Sequence, residues 1–180
     1  MPRCRSCKKK FIPRYFLQKH CLDNTECIKA MKDEAVEKER KKKAKEWKRE
    51  KKQLKEKLKT HSDYIKEVQK VFNEYIRLRD KLKGCISCGK KDTGQYHAGH
   101  YRSAGGNPEL RFEELNVWKQ CATCNTYLHG NLINYRINLI KEIGVKKVEW
   151  LEGKHEPRKY SILELKELKQ HYKSLIKQMK

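Results

Sequence analysis

The chain has 180 residues, enough for one ordinary domain or two very small ones. Apolar residues make up 37% and charged residues 38%, which argues against one large core and favours small metal-stapled units with helices. The formal net charge of +22 indicates a polyanionic partner, nucleic acid before an anionic membrane. No run approaches 18 apolar residues, and the basic N-terminus lacks the apolar segment of a signal peptide. We therefore expect a protein of the reducing cytoplasm with no membrane partner.

Eight cysteines fall into two groups of four, and each group contains C-x2-C spacing. In a reducing compartment this spacing is typical of zinc sites rather than of disulfides. Four thiolates complete the tetrahedral shell of zinc and leave no place for a reactive water, so we predict two structural zinc ions. The predicted ligands are Cys4, Cys7, Cys21 and Cys27 in the first group, and Cys85, Cys88, Cys121 and Cys124 in the second.

Residues 1–27 are predicted to form an N-terminal zinc finger. The second half of its ligand set is loosely spaced, and His20 beside Cys21 is an alternative ligand, so the sequence leaves that choice open. The finger either binds DNA or caps the following helix, and the two roles are compatible. Its candidate DNA contacts are Arg3, Arg5, Lys8, Lys9, Lys10 and Arg14.

Residues 28–61 are predicted to form a basic helical arm. Between Lys29 and Lys59 there are 15 Lys or Arg against 7 Asp or Glu, and neither Gly nor Pro interrupts the run. The few apolar residues make no sustained heptad, so a strong coiled coil is not expected. The excess of positive charge favours an arm along DNA phosphates over a solvated helix or a disordered linker.

Residues 62–180 are predicted to form the main unit. An apolar stripe over 62–82 at helical spacing indicates a helix with Ser62 or Asp63 as its N-cap. Such a stripe has to be buried, either on the following unit or on a second copy of the chain.

Short elements are expected in the rest of the main unit. A strand is predicted to end at His100, and two helices are predicted after the second cysteine pair, the first of them stopped by Gly144. Ser161 and Glu164 match a capping box at the start of a last helix. The expected fold class is therefore α+β and mostly helical, with a small zinc-stapled core.

The central stretch carries a pattern that goes beyond zinc binding. A-G-H100-Y lies between the two cysteine pairs, Asn116 precedes the second pair, and Asn125 directly follows Cys124. This pattern resembles the HNH nucleases, whose ββα-metal fold places a general-base histidine at the end of its first strand. The asparagine after the last cysteine is similar to that of phage endonuclease VII, a Holliday-junction nuclease.

A wider resemblance covers nearly the whole chain. The N-terminal cysteines, the lysine-rich segment and the motifs C-I-S-C-G, A-G-H-Y-R, L-R-F, K-Q-C and G-N-L resemble the NinG (Rap) recombination proteins of lambdoid phages. The central motifs are specific, and the helical arms are not.

These resemblances imply roles for individual residues. His100 would be the general base, Asn125 a ligand of Mg²⁺ or Mn²⁺, and Asn116 the residue that orients the base. Many HNH sequences carry Asp directly before the histidine, where this chain has Gly99. NinG-like sequences can carry Asp three residues before it, at the place of His97. His97 is thus the candidate second ligand of the metal.

Other candidates are weaker. His129 and Asn131 lie about one turn after Asn125 and could face the same metal or the DNA. For His129 the alternative is a plain surface residue. Arg102 and Arg111 flank the motif and would suit a phosphate. The remaining histidines are expected to pack or to lie on the surface: His61, His155 and His171.

Two functions follow from the sequence. The first is a metal-dependent endonuclease that acts on branched, Holliday-junction-like recombination intermediates in the bacterial host cell. Two symmetric cuts would favour a homodimer, formed through the helix at 62–82 or through the C-terminal helix. The alternative is a non-catalytic zinc protein that holds DNA or RNA, favoured by the lack of Asp before His100. Convergence of His100 and Asn125 on one exposed pocket would favour the nuclease.

Overall fold

The computed structural model of the protein describes residues 1–91 and 94–180. The chain forms two compact units, Met1–Leu58 and Lys59–Lys180. The finer division at residues 27 and 61 stays a prediction. In the parts of the chain that the structure describes, no helix is long and apolar enough to span a membrane.

In the first unit, residues 1–27 form a small head around the four cysteines, and one long helix, α1, spans Thr25–Lys57. The side chain of Asn24 accepts a hydrogen bond from the Glu26 amide (2.8 Å) and so caps α1. The helix therefore begins at Thr25, three residues before the predicted start at residue 28. Residues 38–57 are all exposed, so this part of the helix rests on strong helix formers rather than on packing. The core of the unit contains only the four cysteines and Phe11.

Two helices of the second unit pack on each other. Helix α2 spans His61–Arg79 and helix α5 spans Ile162–Gln178, and both start with a capping box. Their shared apolar cluster includes Phe72 on α2 and Tyr172 on α5, whose ring centroids are 4.9 Å apart. The candidate dimer surfaces of these two helices are therefore covered within the chain itself.

The predicted N-cap of the helix at 62–82 is wrong. Thr60 caps α2, and its backbone amide donates a hydrogen bond to the Asp63 carboxylate (3.0 Å). Ser62 and Asp63 already lie inside the first turn. The helix also ends earlier than predicted, because Leu82 lies beyond its end and is 87% exposed.

A two-stranded antiparallel sheet lies between two apolar clusters. Strand β1 spans Tyr96–His100, as predicted, and pairs with β2 over Val117–Cys121, with His100 opposite Val117. Successive residues of a strand point to opposite faces. Val117 accordingly joins the α2/α5 cluster, and Trp118 joins the second apolar cluster.

The second cluster is built by two short helices. Helix α3 spans Leu132–Ile143 and ends before Gly144, as predicted, and α4 spans Val145–Glu152. Gly144 joins them with φ of 84°, a left-handed value that favours glycine. Tyr135 and Leu139 of α3 are fully buried there. The second unit is thus mostly helical with a small sheet, as the sequence predicted.

Candidate functional site

Both cysteine groups have the geometry of a tetrahedral zinc site. In each group the four Sγ atoms lie within 4.8 Å of one another. In the first group the Sγ–Sγ distance is 3.8 Å for Cys4–Cys27 and 3.7 Å for Cys7–Cys21. Zinc–sulfur bonds of about 2.3 Å require tetrahedral edges of roughly 3.8 Å, whereas a disulfide would bring two sulfurs to about 2.05 Å. The residues therefore fit zinc in both places.

The geometry of the first group favours Cys21 over His20 as the metal ligand. Cys21 belongs to the four-sulfur cluster. The ring of His20 is buried and is engaged at both nitrogens, with Ser6 Oγ 2.8 Å from Nδ1 and Glu34 Oε2 2.8 Å from Nε2. His20 therefore ties the head to α1 instead of binding the metal.

The second group joins the two strands to the turn that follows them. Cys85 and Cys88 precede β1, Cys121 ends β2, and Cys124 lies in the π-helical turn Thr123–Tyr127. The Cys88 and Cys121 sulfurs are 3.8 Å apart. One metal ion here would fix both strands of the sheet and the start of the segment that leads to α3.

Asn131 supports this second cluster. Its Nδ2 donates a hydrogen bond to Cys124 Sγ (3.4 Å), which suits a thiolate ligand. The residue has φ of 43° and stands directly before α3. Of the two residues proposed to face the metal or DNA beyond Asn125, Asn131 thus serves the cysteine cluster.

His100 ends β1 and is held through one ring nitrogen. Nε2 lies 3.0 Å from the backbone oxygen of Arg111. A carbonyl oxygen can only accept, so Nε2 carries the proton and Nδ1 keeps the lone pair. Burial lowers the pKa of His100 below its usual value, the positive charge of Arg111 lowers it further, and the bond to the Arg111 carbonyl opposes the shift. The ring is therefore a neutral base near pH 7.

Asn116 fixes the loops on both sides of His100. It is fully buried, and its Oδ1 accepts from the Arg102 amide (2.7 Å). Its Nδ2 donates to the carbonyl oxygens of Arg102 (2.9 Å) and Leu110 (3.0 Å). Leu110 directly precedes Arg111, whose carbonyl holds His100. Asn116 therefore connects the loop after β1 to the segment that carries the Arg111 carbonyl.

Four polar candidates converge on one open cavity of about 580 Å³. They are His100, Arg102, Asn125 and His129. His129 is exposed and has φ of 47°, which few residues other than glycine adopt and which often marks a functional site. The Nε atom of Arg102 is buried and has no hydrogen-bond partner among the described residues. The cavity therefore combines a histidine whose Nδ1 keeps its lone pair, an amide and an imidazole that could bind a cation, and one arginine.

His97 is not brought to this cavity. It lies three residues before His100 on β1, and residues an odd number apart on a strand point to opposite faces. His97 is paired with Gln120, whereas Ala98 and His100 share the cavity side. The placement gives no support to His97 as the second ligand.

No carboxylate lines the cavity in the part of the chain that the structure describes. Within the same described residues, the only groups of three or more His, Cys, Asp or Glu placed to hold a metal are the two cysteine groups. Any cation in the cavity would therefore depend on neutral protein ligands.

Gly99 has a structural reason to be glycine. A Cβ at this position would stand 2.1 Å from Gln120 Oε1 and 3.0 Å from Gln120 Cβ. Gln120 is fully buried, and its Nε2 donates to Ser87 Oγ (2.7 Å) and Gly130 O (2.5 Å). An aspartate before His100 thus cannot fit unless Gln120 moves.

Gln120 is the positioning residue that sequence reasoning missed. Its amide joins β2 to the backbone of Gly130, immediately after His129. The only local signal in the sequence is its place in the motif K-Q-C beside the second cysteine pair. Tyr135 was missed too, and its buried hydroxyl donates to the Gly99 carbonyl (2.9 Å).

The other sequence candidates have ordinary roles. The guanidinium of Arg111 donates a hydrogen bond to the Ala104 carbonyl oxygen (2.9 Å), and Arg111 does not line the cavity. The ring of His61 is 2.6 Å from the Tyr160 carbonyl, as expected for a packing residue. His155 and His171 make edge contacts with neighbouring aromatic rings.

Comparison with known proteins places the chain in a family. The family model described as Bacteriophage Lambda NinG protein matches residues 1–180. The chain belongs to the NinG family. It is 35% identical to the protein ninG of Escherichia phage 933W, over 99% of this chain and 93% of that protein.

Shorter matches are more similar in sequence. The ninG proteins of Escherichia phage lambda and Salmonella phage P22 are each 40% identical over 66% of this chain, covering 58% and 59% of their own lengths. No solved structure matches the chain. The names of these NinG relatives state no activity, so a function has to rest on the chemistry of the cavity.

Proposed function

We propose that this NinG family member is a metal-dependent endonuclease of the HNH type that cuts branched DNA. One observation carries the proposal. The neutral ring of His100 donates a hydrogen bond from its one N–H group to the Arg111 carbonyl oxygen. The same ring lines one open cavity with Arg102, Asn125 and His129. This is the arrangement that a general base for phosphodiester hydrolysis needs.

The proposed step begins at His100. Its unprotonated Nδ1 takes a proton from a water molecule, and the oxygen of that water attacks the phosphorus of the scissile phosphate. A new P–O bond forms as the bond to the leaving sugar oxygen breaks, and that oxygen takes a proton from solvent water, while His100 later returns its proton to the solvent. The lowered pKa of His100 keeps the ring unprotonated near neutral pH, so the base is ready before substrate binds.

The groups that would hold a divalent cation are the Asn125 side-chain oxygen and a ring nitrogen of His129. Such a cation supplies positive charge for the phosphate and for the leaving oxygen. A mixed oxygen and imidazole set without a carboxylate suits Mn²⁺ better than Mg²⁺, which prefers oxygen ligands. We therefore propose that Mn²⁺ supports the higher activity.

Charge supports DNA as the substrate. The net charge of +22 favours a polyanion, and the cationic side chain of Arg102 lines the cavity. The preference for branched DNA rests on the resemblance to junction nucleases. Because a four-way junction needs two cuts, we also propose that two copies act together.

The test is cleavage of a synthetic four-way junction by the purified full-length protein, with and without Mn²⁺ or Mg²⁺. Wild type should nick the junction only with the cation. His100→Ala should reduce the rate by about 10²–10⁴-fold, the usual contribution of a general base. His171→Ala is the matched control, since it also truncates a histidine in the second unit but should keep the wild-type rate. Equal, metal-independent traces of product from all three proteins would contradict the proposal.

A second candidate function is a zinc protein that holds nucleic acid without cutting it. The absence of a carboxylate among the described residues of the cavity favours this alternative. It predicts tight, salt-sensitive binding that survives His100→Ala, and no cleavage with either cation. The same assay with a parallel binding measurement therefore separates the two functions.

A further inference from the structure

The head of the first unit exposes an apolar loop over residues 12–17. Phe16 is 90% exposed, Ile12 76% and Leu17 74%. The loop lies between the C-x2-C turn and the second pair of cysteines, in a unit whose apolar core contains only the four cysteines and Phe11. Such a cluster on a small soluble unit indicates a contact surface.

These side chains are not needed for the core of the head. Phe11, 6% exposed, already packs with the four cysteines. The next apolar residues along the chain are turned outward, although burial of a phenylalanine side chain would be strongly favourable. The fold therefore holds them at the surface.

The loop is also rigidly built. Gln18 is buried, its Oε1 accepts from the Arg14 amide (2.7 Å), and its Nε2 donates to the His20 carbonyl (2.6 Å). Tyr15 donates its hydroxyl hydrogen to Met31 Sδ on α1 (3.4 Å). Leu17 adopts φ of 60°, a left-handed value that a branched side chain rarely takes. The surrounding contacts thus fix the loop before any ligand binds.

The charge around the loop selects the kind of partner. Residues 1–22 contain seven Lys or Arg and no Asp or Glu, and all seven cations are exposed. A partner must therefore offer negative charge and a flat apolar face side by side. Unpaired nucleic-acid bases do so, because each base carries its own phosphate and an open π-face. A paired duplex offers phosphates but keeps its bases stacked.

We propose that residues 12–17 form a base-stacking wedge, in which Phe16 stacks on an unpaired base while nearby Lys and Arg side chains bind the phosphates. Aromatic and apolar wedges of this kind recognise unstacked or opened nucleic acid. The proposal shares with the proposed function the premise that nucleic acid is the ligand. It does not require cleavage, and it assigns the first unit a preference for unpaired strands.

The test is equilibrium binding of the full-length, zinc-loaded protein to a labelled dT20 strand and to a labelled 20-base-pair duplex, without Mg²⁺ or Mn²⁺. Phe16→Ala should weaken binding to the single strand about tenfold and change duplex binding by less than about twofold, given the usual contribution of one stacked base. Phe16→Trp should retain the wild-type affinity for the strand. Leu82→Ala, which truncates another highly exposed apolar residue, should have no effect.

Two outcomes would overturn the wedge. Equal weakening on strand and duplex would show that the loop only supports phosphate contacts. Unchanged DNA affinity with reduced self-association of Phe16→Ala would show that the loop contacts a second copy of the protein. Because the measurement uses no cleavage cation, a protein that fails the nuclease assay can still pass this one.

Discussion

Each of the two cysteine clusters offers four thiol ligands, but the clusters contribute differently to the stability of their units. In the first unit, the cysteines and Phe11 are the whole apolar core. In the second, the cysteines join a sheet that is already enclosed by two apolar clusters. The metal should therefore supply most of the stability of the head. In the second unit it should add a smaller contribution to a structure that two apolar clusters already stabilise.

The two clusters also resemble each other electrostatically. Burial alone would raise the thiol pKa of Cys4, but hydrogen bonds from backbone amides lower it to about 6. The pKa of Cys85 is lowered in the same way, again against the effect of burial. In each cluster the first cysteine of the C-x2-C turn is thus ready to bind zinc as a thiolate.

The largest effect is expected from removing one ligand of each cluster. Cys27→Ser should unfold the head, because apparent zinc-binding energies of about 10–16 kcal/mol are then lost from a unit with almost no other core. Cys124→Ser should only lower the unfolding temperature of the second unit. Metal analysis should fall from two zinc ions per chain to one in each variant, and hydrogen exchange should report which unit has opened.

One result of the hydrogen-exchange experiment would contradict the proposed difference between the two units. If Cys124→Ser abolishes amide protection in α2 and α5, the apolar clusters do not hold the second unit without its metal. A wild-type zinc content of one ion per chain would remove the first site, and none would remove both.

A smaller effect is expected where β1 passes Gln120. Gly99→Ala should destabilise the second unit by about 1–3 kcal/mol, because the new Cβ overlaps a buried side chain. Gly105→Ala is the matched control, since a Cβ there meets nothing within 4 Å. Urea unfolding measures both.

A double variant sharpens this prediction. Removal of the Gln120 side chain makes room for the new Cβ, so Gly99→Ala should cost less in a Gln120→Ala background than in wild type. Full additivity of the two changes would show that Gln120 is not the reason for glycine before His100.

The smallest effect is expected from the lowered pKa of His100. His100 should titrate below pH 6.5 in NMR spectra recorded without Mg²⁺ or Mn²⁺, because burial and the charge of Arg111 disfavour its protonated form. The folded state then binds fewer protons than the unfolded chain. Native stability should therefore fall as the pH drops from 6.5 through the lowered pKa of His100.

Arg111 offers a check on the cause. Arg111→Gln keeps the carbonyl that binds Nε2 and removes the positive charge, so the His100 midpoint should rise toward 6.5. A wild-type midpoint at or above 6.5 would contradict the neutral-base assignment.

Local signals made much of the fold predictable. The stop at Gly144, the capping box of Ser161 and the strand ending at His100 depend on neighbouring residues, and all three are confirmed. The N-cap at Thr60 was missed because Ser62 and Asp63 are equally good caps by type. Competing local signals of similar strength cannot be ranked without the packing around them.

The cavity was predictable only in part. The placement of His100 with Asn125 was implied by the resemblance to the HNH nucleases, and the structure brings the two residues to one cavity. The alternation of side chains along a strand was already a reason to separate His97 from His100. The fit of Gly99 against Gln120 was beyond reach, since it joins positions 21 residues apart through β pairing. The choice of Cys21 over His20 likewise depends on Glu34, far along the chain.

The central claim is that the second cysteine cluster frames a separate catalytic histidine. It is tested most directly by the single-turnover rate of junction cleavage in Mn²⁺ for wild type and His100→Ala, with zinc content and unfolding temperature measured on the same samples. We predict two zinc ions and similar unfolding temperatures for both proteins, and a rate about 10²–10⁴-fold lower for His100→Ala. Equal rates at equal zinc content would contradict the account.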